Sequence, residues 1–195
     1  MPNNIEQLKQ LREQTGISMM ECKKALEESG GDLKRAKEIL REKGKEMIKG
    51  RESRGAEKGL VTSYIHSNGK IGVLLQLNCE SDFVAKSDDF KSLAHEICLH
   101  ITASRPLFVQ AEDIPEEFLD EEKKIYQKQI ADSGKPKEIV DKVIAGKLAK
   151  YKKEVSLLSQ SWIKDDSKTI LQLIEEARAK TGENIVLAKF ARYEI

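Results

Sequence analysis

The chain has 195 residues, enough for one sizeable domain or two small ones, and its 34% charged and 5% aromatic content points to a helix-rich, heavily solvated surface over modest cores. Its 34 basic residues nearly cancel 33 acidic ones, and a formal charge of +1 argues against a grip on nucleic acid dominated by phosphate contacts, leaving only a local basic patch. No apolar run approaches the roughly 18 residues of a membrane span, and the polar start MPNNIEQLKQ has neither secretory nor transit character.

Residues 4 to 44 carry the helical period three times. Ile5, Leu8 and Leu11 line one face of a first helix that stops near Gly16. Ser18, with Glu21 three residues on, opens a second as a capping box; Met19, Cys22, Ala25 and Leu26 are its apolar positions, and SGGD (Ser29 to Asp32) ends it. Asp32 can cap a third helix, in which Leu33, Ala36, Ile39 and Leu40 recur and Gly44 sits where a C-terminal cap would. The chain then turns basic and loses its period through KEMIKGRESRGAEK, Lys45 to Lys58, a linker and natural boundary.

Beyond it the period becomes two. GLVTSYIH and IGVLLQLN flank SNGK, Ile71, Val73, Leu75 and Leu77 alternate, and Asn68-Gly69 signals a hairpin because both residues tolerate positive φ. Phe90, Leu93, Ala94, Ile97 and Ile101 trace the stripe of a long helix that ends before Pro106. Residues 115 to 158 are helical again, broken once at SGKPKE (Ser133 to Glu138). The seam Val140, Ile144, Leu148, Tyr151, Val155 and Leu158 suits two antiparallel helices packed together. A last helix from about Lys168 to Lys180 turns Ile170, Leu173, Ile174 and Ala177 inward, and ENIVLAKFARYEI closes the chain as a strand. The fold class is therefore α+β: three N-terminal helices, then a small antiparallel sheet with helices over one face and a protruding helical hairpin.

The chemistry-bearing residues do not group into an active site. The histidines of HEICLH, His95 and His100, lie five apart, about 140° around a helix, and cannot share one ion. His66 stands at a strand end with no triad pattern, and neither a GxxxxGK[ST] loop nor a GxGxxG after a strand occurs. Three widely spaced cysteines, Cys22, Cys79 and Cys98, with no CxxC pair, fit a reducing cytoplasm and buried small side chains. Neither an enzyme, a metal site nor a bound cofactor is expected; surfaces should carry the function.

Two stretches bear a resemblance. LREQTGISMMECKKALEESGGDLKRAKEILREKG (Leu11 to Gly44) resembles the amino-terminal module of elongation factor Ts, and GVLLQLNCESDFVAKSDDF resembles that family's core signature, usually written around Thr-Asp-Phe-Val. SGKPKEI, LLSQSWIKDDSKTI and TGENIVLAKFARY follow in family order, so the likeness runs from about Ile5 to Tyr193. Ser81 stands for the usual Thr, Ser87 for a commoner Asn or Asp, and Ser161-Trp162 for a Pro-Phe, and there is strand and helix material for only one of the two half-cores of long members.

The resemblance implies a ubiquitin-associated-like three-helix module over 1–45, a basic linker over 46–58, and a core over 59–195 with the helical hairpin at about 115–158. It further implies a cytoplasmic guanine-nucleotide exchange factor for the translational GTPase elongation factor Tu. By resemblance Ser81, Asp82, Phe83 and Val84 form the motif that intrudes on the GTPase and dislocates its Mg²⁺, while Arg12, Met19, Met20, Lys23 and His100 lie at the partner-binding surface. Two alternatives stay open: that Asp82 caps the long helix with Phe83 stapled to the core, and that His100 is a satisfied core histidine. A single half-core leaves a sheet edge and an apolar face uncovered, so a homodimer is expected, with no direct nucleic-acid or membrane contact. A ribosome- or RNA-associated binding protein is the competing reading, weakened by the near-neutral charge and the scarcity of stacking aromatics.

Overall fold

The three N-terminal helices form where the apolar period lies. They are α1 (Asn4–Thr15), α2 (Met19–Glu28) and α3 (Leu33–Lys49) in a computed structural model that describes residues 4–49, 54–130 and 136–195. Leu11, Cys22, Ala25, Leu26, Ala36 and Leu40 make their common core, with Leu8, Ile17, Leu33 and Ile39 packed around it. Ser18 Oγ accepts the Glu21 N–H at 3.3 Å, half of the expected capping box, while the Glu21 carboxylate accepts from Lys24 at 3.2 Å. Asp32 Oδ1 accepts the N–H groups of Lys34 and Arg35 at 2.8 and 3.1 Å and caps α3 as expected. Two details differ. Ile5 is 66% exposed, and α3 runs on through Gly44 to Lys49, because the Lys, Glu, Met and Ile that follow are adequate helix formers and one interior glycine costs only about 1 kcal/mol. The middle of the linker, 50–53, lies outside the described residues, as does 131–135, where the first half of the expected break in the hairpin falls.

Strands β1 (Lys58–Ile65), β2 (Ile71–Cys79) and β5 (Val186–Glu194) form a sheet in the order β1-β2-β5. It is antiparallel: residues 80 and 184 meet at one end, and the Ile195 N–H reaches the Lys70 carbonyl at the other. Val73, Leu75, Leu77 and Cys79 of the central strand are buried on one face. In the β1–β2 turn only Gly69 takes positive φ, +67°. Its N–H bonds to the His66 carbonyl and Asn68 Oδ1 accepts the Lys70 N–H, a type I turn completed by a left-handed glycine rather than a two-residue turn.

The short α4 (Asp82–Lys86) and the long α5 (Asp88–Ser104) follow β2, and Phe90, Leu93, Ala94, Ile97 and Ile101 of α5 are all buried. Helices α6 (Glu116–Ile130) and α7 (Lys137–Val155) pair as the expected hairpin, with Phe118 stacked on Tyr151 and edge-on to Phe108. A second small hairpin, β3 (Ser161–Trp162) with β4 (Asp165–Thr169), occupies a stretch that shows no alternation in the sequence. It hands the chain to α8 (Ile170–Thr181), which begins two residues later than the periodicity suggests.

Contacts divide the chain into two compact units, each assembled from separate segments. One holds Met1–Thr62, Gln76–His95 and Gln172–Ala188; the other holds Ser63–Leu75, Glu96–Leu171 and Lys189–Ile195. Among the described residues no helix is long and apolar enough to cross a membrane.

Candidate partner-binding site

The first unit carries the turn that leaves the central strand. Cys79 ends β2 buried, and α4 is a single turn of five residues, too short to hold itself by helical hydrogen bonds alone. Val84 and Ala85 face inward, 6% and 7% exposed, and anchor it. Successive helical residues point about 100° apart, so Phe83 is turned out of the core and is 86% exposed, with Asp82 also in solvent. The cap of α5 is Ser87, whose Oγ accepts the Phe90 N–H at 3.3 Å while donating to the Val84 carbonyl at 2.7 Å. Asp82 therefore does not cap the long helix, and the Phe83 ring is not stapled to its own core.

The backbone ahead of Phe83 is held from the far end of the sequence. Glu183 Oε2 accepts the N–H groups of Glu80 and Ser81 at 3.2 and 3.0 Å, and Glu183 Oε1 accepts the Ser81 hydroxyl at 2.5 Å. That hydroxyl in turn accepts the Val84 N–H at 3.3 Å, capping α4. The exchange is reciprocal: Glu80 Oε1 accepts the Asn184 N–H at 2.7 Å, and Arg54 stands 3.7 Å from the other Glu80 oxygen. Cys79 Sγ donates to the Ser81 carbonyl at 3.2 Å; burial, then the charge of Glu183, pushes its thiol pKa up.

On the N-terminal helices Met19 is 40% and Met20 65% exposed, and Arg12 and Lys23 are exposed. Arg12 and Met19 line a cleft of about 290 Å³ with Lys9, Glu13, Gly16 and Lys180. Gly16 ends α1 at φ +67°, and a Cβ there would stand 2.7 Å from Cε of Lys180, whose ammonium pairs with Asp89 at 2.8 Å. Lys23 pairs with Glu27 at 3.9 Å on the surface, an interaction of little energy.

His100 is the exception among the residues singled out from the sequence. It belongs to the second unit, is wholly buried, and its Nε2 lies 2.9 Å from Gln160 Oε1. Of the two readings of His100, its burial fits the core histidine, but not a fully satisfied one: its Nδ1 is buried with no hydrogen-bond partner among the described residues. Burial lowers its pKa, and the Gln160 hydrogen bond offsets part of that. The residues that sequence reasoning missed are Glu183 and Lys180. TGENI shows only a strand about to start, and the contacts of Glu183 lie more than a hundred residues away. Among the described residues no group of three His, Cys, Asp or Glu side chains is placed to hold a metal ion. What the first unit offers is an aromatic ring on a short, braced turn, together with a separate apolar and basic helical surface.

A family model described as "Elongation factor TS" matches residues 5–195. Among curated proteins, the elongation factor Ts of Coprothermobacter proteolyticus is 52% identical over 188 residues, covering 96% of this chain and 95% of that one. That of Desulfitobacterium hafniense is 50% identical over 97% of this chain and 87% of its own, and that of Thermotoga petrophila 48% over 100% and 97%.

Proposed function

The chain belongs to the elongation factor Ts family, which makes it a nucleotide exchange factor for elongation factor Tu, and from that premise we propose that it expels GDP by pressing Phe83 into the GTPase. An exchange factor makes and breaks no covalent bond. It binds best to the nucleotide-free state and, by linkage, weakens nucleotide binding by the same factor that nucleotide weakens its own. The partner's Mg²⁺ keeps a near-octahedral shell that tolerates little displacement, so moving the helices behind it by about an ångström is an effective lever.

In this reading the Phe83 ring enters an apolar gap between two helices of the GTPase, where a buried aromatic anchor contributes on the order of 2–4 kcal/mol. Asp82 meets the neighbouring helix or its backbone, and Ser81 and Val84 hold the turn. Met19, Met20, Arg12 and Lys23 grip the same GTPase through adaptable thioethers and charge. The observation that carries the reading is the 86% exposure of Phe83 on a turn so thoroughly hydrogen-bonded. A ring so exposed does no packing in its own unit and stands available for a partner to cover.

The exposed Ile65 and Leu74, 64% and 50%, support association of two copies through the outer face of the sheet. The test of the exchange reading is stopped-flow release of a fluorescent GDP from elongation factor Tu. Added wild-type chain should accelerate release, and Phe83→Ala should cut that acceleration by about thirtyfold or more. An undiminished rate with Phe83→Ala would remove the proposed role of the ring.

A further inference from the structure

We infer that Glu183 is a positioning residue for exchange, aiming Phe83 through the turn that carries it. The inference rests on the reading of Phe83 given above. The β2–β5 ladder runs out at Cys79 and Val186, and beyond it two carboxylates cross between the chain segments. Glu80 binds the Asn184 N–H, and Glu183 binds the N–H groups of Glu80 and Ser81. Hydrogen bonds to an ionised acceptor are about twice as strong as neutral ones, and a pair on consecutive N–H groups fixes the peptide plane between them. That plane sets the direction in which the chain enters α4, two residues before Phe83.

The Ser81 hydroxyl transmits the same constraint. Its single proton is committed to Glu183 Oε1, which leaves a lone pair for the Val84 N–H. Removing the carboxylate frees the hydroxyl to rotate and loosens the cap of a helix that has only one turn. Phe83 makes no core contact that would restore its direction. Small misplacement of an inserting group is expensive: about 1 Å can cost up to roughly a hundredfold in rate.

The experiment uses the full-length chain with elongation factor Tu and fluorescent GDP. Glu183→Gln keeps the shape but discharges the acceptor of the two N–H groups and reverses the third bond, its NH₂ donating to the Ser81 hydroxyl, whose proton is then free to rotate. The maximal exchange rate should fall about tenfold, the size of the charge assistance lost from the two N–H bonds. The concentration of chain giving half the effect should change little, because Met19, Met20, Arg12 and Lys23 are untouched. Glu183→Asp, which keeps the charge at shorter reach, should recover part of the loss. A simple loss of fold would not produce the decisive readout: in a Phe83→Ala background, Glu183→Gln should cause almost no further decrease, because its effect passes through the ring. If Glu183→Gln proves too unstable to assay, Ser81→Ala breaks the same relay at one hydroxyl and carries the same prediction. A slow Phe83→Ala variant beside a Glu183→Gln variant of wild-type rate overturns the inference alone. So does a loss from Glu183→Gln that persists undiminished without the ring. An unaffected Phe83→Ala variant overturns the exchange reading itself, and the inference with it.

Discussion

Phe83 leaves 86% of its surface in water, so the loss of exchange expected on truncation should come without loss of fold. Substitutions at such positions move stability by no more than about 0.5 kcal/mol. Thermal unfolding of Phe83→Ala should therefore overlay the wild type, and a fall of many degrees would show that the ring serves its own core. Two buried titratable groups predict how stability changes with pH. Burial pushes the Cys98 thiol up to about 11, so the folded chain prefers the neutral thiol. Its contribution is complete below the unfolded value near 8.5 and is lost as pH rises toward 11. His100 is shifted the other way: burial lowers its pKa, and the unfolded chain binds a proton that the folded chain resists. Stability should thus decline as pH falls below the usual imidazole value of about 6.5. Denaturant unfolding across pH checks both, and the acid-side slope just below 6.5 should be smaller in His100→Gln. An identical slope in that variant would assign it to other groups.

At the scale of elements, the helices that repeat an apolar position every three or four residues were legible from the sequence. So was the β1–β2 hairpin, where alternation and Asn68-Gly69 agree. What escaped had no local signal. Gly44 looks like a stop, yet the residues after it sustain α3 to Lys49. The β3–β4 pair is two residues against five with an irregular register, too short to establish a period. Phe83 is singled out by the resemblance of GVLLQLNCESDFVAKSDDF to the family's core signature, since its place at a strand-to-helix junction alone suits a ring stapled to the core. Its brace could not be singled out, because Glu183 reaches Ser81 only after the whole chain has folded. Helix α7 gives a direct test of element energetics. Gly146 lies in its interior with open space where a Cβ would stand. Gly146→Ala should stabilise the chain by about 0.5–1 kcal/mol, raising Tm by roughly 1–4 °C. Calorimetry reads the shift, and exchange activity should not move. A lower Tm would mean that the hairpin needs glycine there for a reason absent from its helical geometry.

The whole molecule shows why the sequence could suggest its modules without giving their packing. Each compact unit collects three separate stretches of chain, so residues distant in sequence, such as Ser81 and Glu183, end up sharing one turn. Its near-neutral charge separates the two functional readings. RNA binding driven by phosphate contacts would weaken steeply with salt, whereas insertion of an aromatic ring would not. Assembly has its own measurement: two 22.0 kDa chains make about 44 kDa, and sedimentation equilibrium should return that mass. A value of one chain at micromolar concentration would contradict the homodimer. The central claim, that Phe83 works inside the partner, is tested most directly by a crystal structure of the nucleotide-free complex with elongation factor Tu. The account predicts the Phe83 ring buried between two GTPase helices, with Glu183 still on the N–H groups of Glu80 and Ser81. A ring left in solvent, or folded back against its own chain, would contradict it.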